Sequence, residues 1–381
     1  MTGRERIQAA FQFQPTDRVP IFEQTVASKV ASQAFGRSLD IGGGDLRCKE
    51  AVASLAGEQA HREFVAKMLG DIAWLYRQMG FDMIRMPWRE KRKPARKIDE
   101  STYFFGSEDG AWSLARYSLE AASWHEVDNH LRRGGGDVLV PEIRSAVESF
   151  DGPKPPSDDE LADWDELCRL AGPDLCRACG CGGVGVLMYE PAWLEAMMLY
   201  PDLVGEYLSH RCEEQLLAIE VYHQHGAEVC LAGGDLAMNT GPAYSPAMFR
   251  RLVLPHLKRI TAKCHELQMH YIFRTDGWTW PIGDMLFEES GVDGYGEIDR
   301  QAGMKLDELR ARFGRLCLFG NVDCAAALTR GTVDDVRRTT EQNLAETGGI
   351  GHVLGSSNSI VFETPPENLL AMFETARNWR R

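Results

Sequence analysis

Long apolar runs are missing from this 381-residue sequence, and no stretch approaches the ~20 residues that a membrane-spanning helix requires. Concentrated positive charge is missing too. Lys and Arg number 42 against 56 Asp and Glu, a formal net charge of −14, and the short run 89–97 is the one basic concentration. Nucleic acid and anionic membrane surfaces are therefore poor partners. The first residues, MTGRERIQAAFQFQP, lack the apolar core of a secretory signal. They carry instead a capping box, Thr2 with Glu5 three residues on, ahead of a short amphipathic helix. A soluble, cytoplasmic protein is expected. No internal repeat, low-complexity tract or GxGxxG fingerprint is present, and a dinucleotide-binding fold is not expected.

Ten cysteines are scattered through the chain: Cys48, Cys168, Cys176, Cys179, Cys181, Cys212, Cys230, Cys264, Cys317 and Cys324. Without a secretory signal they read as reduced thiols. The dense run CRACGC at 176–181 offers a CxxC with a third thiol two residues later. As a zinc or iron–sulfur half-site it lacks a second pair at the usual spacing, and the plainer reading is small residues entering a strand.

Eight short apolar runs lead into turn-forming or charged residues, at 19–23, 82–86, 185–190, 228–233, 271–276, 294–299, 316–323 and 352–356. From the third onward they alternate with helical patterns at 201–223, 245–267, 280–290, 305–313 and 333–347. Alternation of this kind implies parallel pairing with helical crossovers, and eight strands imply closure into a (β/α)8 barrel forming one domain over 1–381. An excursion at 89–180 interrupts the pattern. Its aromatic-rich runs flank Asp109-Gly110 and predict a hairpin, and the excursion is expected to cover the barrel mouth.

Several segments carry a family resemblance: RERIQAAFQFQPTDRVPI at the start, TGPAYSPAMFRRLVLPHLKRI, the GVD before a strand, FGNVD at a strand end, and GHVLGSSNSIVFETPPENLLAMFETA near the end. Together they resemble the uroporphyrinogen decarboxylase superfamily, which includes cobalamin-dependent methyltransferases working through a corrinoid protein. The resemblance spans nearly the whole chain. Two departures bear on the reaction it implies. Family decarboxylases carry an arginine-rich segment after the first strand, where this chain has Glu23, Gln24, Thr25, Val26 and Ala27. The zinc methyltransferases use His-x-Cys after the fifth strand and Cys after the eighth, where this chain has Arg274, Asp276 and Asn358. Arginine cannot ligate a metal, and no thiolate remains there for zinc.

What remains at the expected mouth is acidic: Glu190, Asp235, Asp276, Glu297, Asp299 and Asp323. Arg274 and Asp276 share a strand face, as do Glu297 and Asp299, because strand side chains alternate. Crowded carboxylates raise one another's pKa, and a protonated one can serve as a general acid. For Asp299 and Asp323 the plainer reading, capping of backbone amides, is preferred. A ligand set of Glu220, Asp235 and His256 is excluded by topology, since Glu220 falls at the opposite end of the barrel. A metal, if bound, is expected on oxygen ligands.

These readings converge on a substrate-side methyltransferase that passes a methyl group from a small methylated compound, such as a methoxylated aromatic, to the cobalamin of a separate corrinoid protein. Asp276, Asp235, Glu190 and Arg274 are the expected catalytic set, with Tyr189, Trp278, Glu297, Asn321 and Asn358 contacting substrate. Aromatic walls from Trp88, Phe104, Phe105, Trp112, Tyr117, Trp278 and Trp280 are expected around it. The alternatives are a decarboxylase or lyase acting on a small non-tetrapyrrole acid, with Arg274 holding the carboxylate, and a ligand-binding barrel without catalysis. A homodimer is left open.

Overall fold

The computed structural model describes residues 1–186 and 188–380. A seven-stranded parallel sheet runs in the order β1 (Met83–Arg85), β2 (Cys176–Cys179), β3 (Val229–Gly233), β4 (His270–Arg274), β5 (Gly294–Gly296), β6 (Cys317–Phe319) and β7 (His352–Val353). Ile21 closes the ring. It bridges Leu354 in parallel, and its carbonyl accepts from the Asp82 amide at 2.9 Å, so the expected first strand is present as a single linking position between β7 and β1. The barrel and its alternating crossovers stand as read from the sequence.

Side-chain alternation divides the interior. Val229, Leu231 and Ile272 join a core with Ile21 and Val353, whereas Cys230, Ala232, Tyr271 and Phe273 join a second core with Leu208, Leu257 and Ile260 of the helical layer. Helices Pro201–Gln224 and Leu254–Glu266 supply that layer behind β3 and β4. Their register follows from apolar positions spaced three and four apart.

One strand differs from expectation. The third barrel strand is Cys176–Cys179, inside the CRACGC run, and the described residues of 185–190 form a turn that leads into the helix Pro191–Leu199. Leu187 of that run lies outside the described residues. Gly182, Gly183 and Gly185, two of them at positive φ, break the extended pattern just after β2.

Between β1 and β2 a four-stranded antiparallel sheet is built from Arg96–Lys97, Thr102–Gly106, Trp112–Ser118 and Ser123–Asn129. The hairpin around Asp109-Gly110 lies within it. Tyr103, Phe105, Ala115 and Trp124 pack on Ala51 of the helix Gly43–Ala56. Gly44 permits this contact, since a Cβ there would lie 2.3 Å from the Ala122 carbonyl oxygen.

Closure of the barrel depends on a buried carboxylate. Asp82, 1% exposed, pairs with Arg18 at 2.7 Å and Arg6 at 3.0 Å and accepts from the Ile21 amide at 2.7 Å. Removing the carboxylate leaves Arg18 without its counterion and a buried amide without its acceptor, while Arg6 keeps Asp17 at 2.6 Å. Asp82→Ala is expected to lower unfolding stability by about 3–5 kcal/mol in urea titrations. A loss under about 1 kcal/mol would contradict its role in closure.

Candidate active site

The C-terminal ends of the strands converge on a polar cluster centred on Arg274, the last residue of β4. Its Nη1 donates to Glu297 Oε1 at 2.8 Å and to Gln24 Oε1 at 2.9 Å, and Gln24 Nε2 donates to Glu297 Oε1 at 2.8 Å and to the Asn358 carbonyl. Four separate segments are thereby tied at one point. Glu297 sits at φ 62°, a left-handed conformation costly for a residue with a side chain, and this network holds it there. The turn after β4 is fixed as well. Thr275 is buried and accepts from the Leu236 amide at 3.1 Å, and Gly277 at φ 77° approaches so closely that a Cβ would lie 2.5 Å from the Ala237 carbonyl oxygen.

Asp276 follows in this turn and accepts from Asn358 Nδ2 at 3.2 Å. Its pKa is pushed up to about 6 by desolvation first, then by the negative charges of Glu297, Asp235 and Asp299. Asp235 stands at the open rim and is also raised, by desolvation and then Glu297, with Arg274 acting in the opposite direction. A carboxyl that holds a proton near neutral pH can donate it. Because the folded value of Asp276 lies above its ordinary value of 3.8, the protonated group stabilises the fold below pH 3.8, and that contribution is lost as pH rises through about 6.

A second cation completes the mouth. Arg85 ends β1, is 5% exposed, and has buried Nε and Nη1 atoms without hydrogen-bond partners among the described residues. Desolvation, and then the like charge of Arg274, bring its pKa down to about 9. Both guanidiniums lie over Trp88, at 4.9 Å from the ring centroid for Arg85 and 5.2 Å for Arg274. All three residues line a cavity of about 1110 Å³ whose far wall comes from Pro155, Asp163, Gln215 and Tyr222. Other cations around it are paired: Arg89 with Glu50 and Asp163, Lys91 with Glu160, and Arg211 with Glu214. Arg47 faces Glu90 at 3.6 Å and Lys154 faces Asp151 at 3.7 Å, so among the described residues Arg85 is the lining cation without an ion-pair partner, with a like charge beside it. An arginine ending an apolar strand was the available sequence signal, the same one that marked Arg274.

The remaining expected residues divide. Arg274, Asp276, Glu297, Asn358 and Asp235 are brought together. Glu190 is not. It is buried against the antiparallel sheet, accepting from Asn129 Nδ2 at 3.0 Å and Arg132 Nε at 3.3 Å, because the segment before it turns instead of continuing a barrel strand. Tyr189 is 58% exposed and shares with Asp235 a neighbouring pocket of about 450 Å³. Asn321 is buried, donating to the Ile298 carbonyl at 3.1 Å while its Oδ1 lacks a partner. Trp278 is turned onto a short antiparallel pair, Ala237–Met238 with Gly241–Pro242, where its amide donates to the Met238 carbonyl, and Trp280 stacks on Phe313. Trp88 is the aromatic residue that reaches the cationic pair. Asp299 and Asp323 cap backbone amides, as preferred from the sequence. Glu23 is 2% exposed, accepts from the Ser356 amide and hydroxyl, both at 2.9 Å, and lines a small cavity with Arg274, Glu297 and Asn358, where burial pushes its pKa up to about 7.

Groups of metal-ligand type lie away from the rim. Among the described residues, the carboxylates of the rim form no group of three whose oxygens converge, and the one converging set of ligand type is Cys179, Cys181 and Cys230. Three histidines are engaged elsewhere: His225 with Asp165, His265 with Asp293, and His352 buried between Thr347 and the Gly320 carbonyl.

The molecule is thus a (β/α)8 barrel with a polar site at the C-terminal strand ends. A family model described as uroporphyrinogen decarboxylase (URO-D) matches residues 187–379, just over half of the chain, and the chain belongs to that family. Uroporphyrinogen decarboxylases from two strains of Thermus thermophilus are each 34% identical over 174 residues, covering 44% of this chain and 48% of theirs. The chain spans about half the length of these curated relatives. Among solved structures, a methyltransferase from Methanosarcina mazei shares the fold, with a TM-score of 0.66 and 18% identity, over 99% of this chain and 98% of that one.

Carboxyl titration followed by carbon-13 NMR tests the electrostatics of this site. A resonance titrating near pH 6 is expected, absent in Asp276→Asn and moved to lower pH in Glu297→Gln, which removes a negative neighbour and releases Arg274. An unmoved resonance in Glu297→Gln would contradict the coupling.

Proposed function

We propose that this barrel is a substrate-side methyltransferase for a small methylated anion, such as an aromatic methyl ether carrying a carboxylate. The methyl group would pass to the corrinoid of a separate carrier protein. The reading is carried by a buried guanidinium, Arg85, whose Nε and Nη1 have no hydrogen-bond partner among the described residues, and a carboxyl, Asp276, whose pKa is pushed up to about 6, both lying in the field of Glu297.

Each part has a task. Arg85 and the adjoining face of Arg274 receive the carboxylate, and Trp88 offers its ring to the aromatic plane. As the methyl–oxygen bond breaks, its electron pair stays on the aryl oxygen, and Asp276 protonates that oxygen so that a neutral phenol departs. Glu297 keeps Arg274 in place and, with Asp235, keeps the Asp276 proton available. The corrinoid supplies the nucleophile that accepts the methyl group when its carrier is docked. Exposed Tyr189, Met198, Leu199 and Tyr200, close to the rim, give such a carrier an apolar landing surface.

A decarboxylase acting on a small acid is the second reading, and Arg85 favours it too, since a guanidinium also holds a carboxylate that is to be lost. The two readings part in one assay. The chain is incubated with methoxybenzoates, with and without a reduced corrinoid protein, while phenol and carbon dioxide are measured. Corrinoid-dependent phenol release is expected, with Asp276→Asn lowering turnover by about 10²–10⁴-fold. Arg85→Gln should raise KM for carboxylated substrates by about ten- to a hundred-fold and leave neutral analogues unaffected. Carbon dioxide release without corrinoid would replace the reading with decarboxylation, and tight binding without turnover would replace it with a binding role.

A further inference from the structure

Behind the mouth, between the sheet and the helical layer, three thiols meet. Cys179 ends β2, Cys181 lies two residues beyond, and Cys230 is the β3 residue in register with Cys179. Their sulfurs all lie within 4.8 Å of one another, with Cys179 and Cys181 at 3.3 Å. Sulfurs about 2.3 Å from a shared zinc ion stand at comparable separations. We propose that Cys179, Cys181 and Cys230 form a binding site for a soft metal ion of the zinc type, built from residues other than the Arg274 cluster although Cys181 lies on the wall of the cavity that Arg85 and Arg274 also line.

The local structure supports a built site. The strand pairing Ala178 with Val229 and Cys179 with Cys230 fixes two of the sulfurs on one face. The chain then has to bend back to bring in the third. Gly182, at φ 97°, makes that bend: a Cβ there would lie 2.9 Å from Cys230 Sγ and 3.0 Å from the Tyr271 ring. The bend is clamped on both sides, since the Gly182 amide donates to Gln215 Oε1 at 2.7 Å and its carbonyl accepts from Tyr271 Oη at 2.8 Å. Cys179 and Cys230 are buried, whereas Cys181 borders the large cavity and gives an ion an entry path and an open fourth position. Thiolate donors without nearby carboxylate or imidazole ligands select soft ions over magnesium or calcium. Binding displaces the thiol protons and ties the segment after β2 to β3.

The test uses the full chain, purified under reducing, metal-free conditions and titrated with zinc against a chromogenic chelator, with thermal unfolding followed in parallel. One equivalent of zinc should bind and raise the Tm. Cobalt in its place should give sulfur-to-metal charge-transfer absorption. Cys181→Ser, at the cavity wall, and Cys230→Ser should each weaken zinc binding at least tenfold and abolish the Tm rise, while Cys48→Ser leaves both unchanged. Circular dichroism of the metal-free variants establishes that they fold. Absence of stoichiometric zinc in the parent chain, or undiminished binding in folded Cys181→Ser and Cys230→Ser, would overturn the proposal.

Discussion

Taking a guanidinium out of water without a carboxylate beside it is costly, and the mouth of this barrel does so with Arg85. The arrangement of the site follows from that constraint. Arg274 is a neighbour of the same charge, and its own counterion, Glu297, is already shared with Gln24. Trp88 shields both cations with a ring face and supplies no hydrogen-bond acceptor. An arrangement of this kind is stable enough to persist and is relieved when an anion enters. The barrel tolerates the cost because its closure is secured at the other end of β1, where Asp82 binds two arginines and the first strand.

The acidic half of the site answers the cationic half. Glu297 is the pivot, since it neutralises Arg274 and also contributes to raising Asp276. Asp276 and the two arginines are therefore linked through Glu297 and make no direct ion pair among the described residues. Had Asp276 paired directly with either arginine, its pKa would fall and its proton would be lost at neutral pH. Asn358, which donates to Asp276 from the last loop, orients the carboxyl without adding charge.

Much of this was legible in the sequence. Alternating strands and helices announced the barrel, and Arg274, Asp276 and Glu297 were marked by charged residues following apolar strands. Asp299 and Asp323 were read as caps and are caps. The third strand was placed wrongly because 185–190 is the more apolar of two short runs, whereas 176–179 is broken by Arg177 and reads as a cysteine cluster. Glu190 went astray with it. Trp278 was assigned to the pocket by proximity in sequence, yet the tight turn at Gly277 rotates it onto a hairpin. Arg85 carried the same signal as Arg274, but its lack of a partner is a property of three-dimensional packing. The thiol cluster was half visible in CRACGC, and its third member comes from a neighbouring strand about fifty residues away, which spacing rules do not register.

A barrel fold accommodates more than one way of using its mouth, and the side chains present decide among them. The most direct measurement is a crystal structure with a bound methoxybenzoate. The account predicts the carboxylate within hydrogen-bond distance of the Arg85 guanidinium, the ring against Trp88, and the ether oxygen within reach of the Asp276 carboxyl. A ligand bound elsewhere, or with its carboxylate turned away from Arg85, would contradict it.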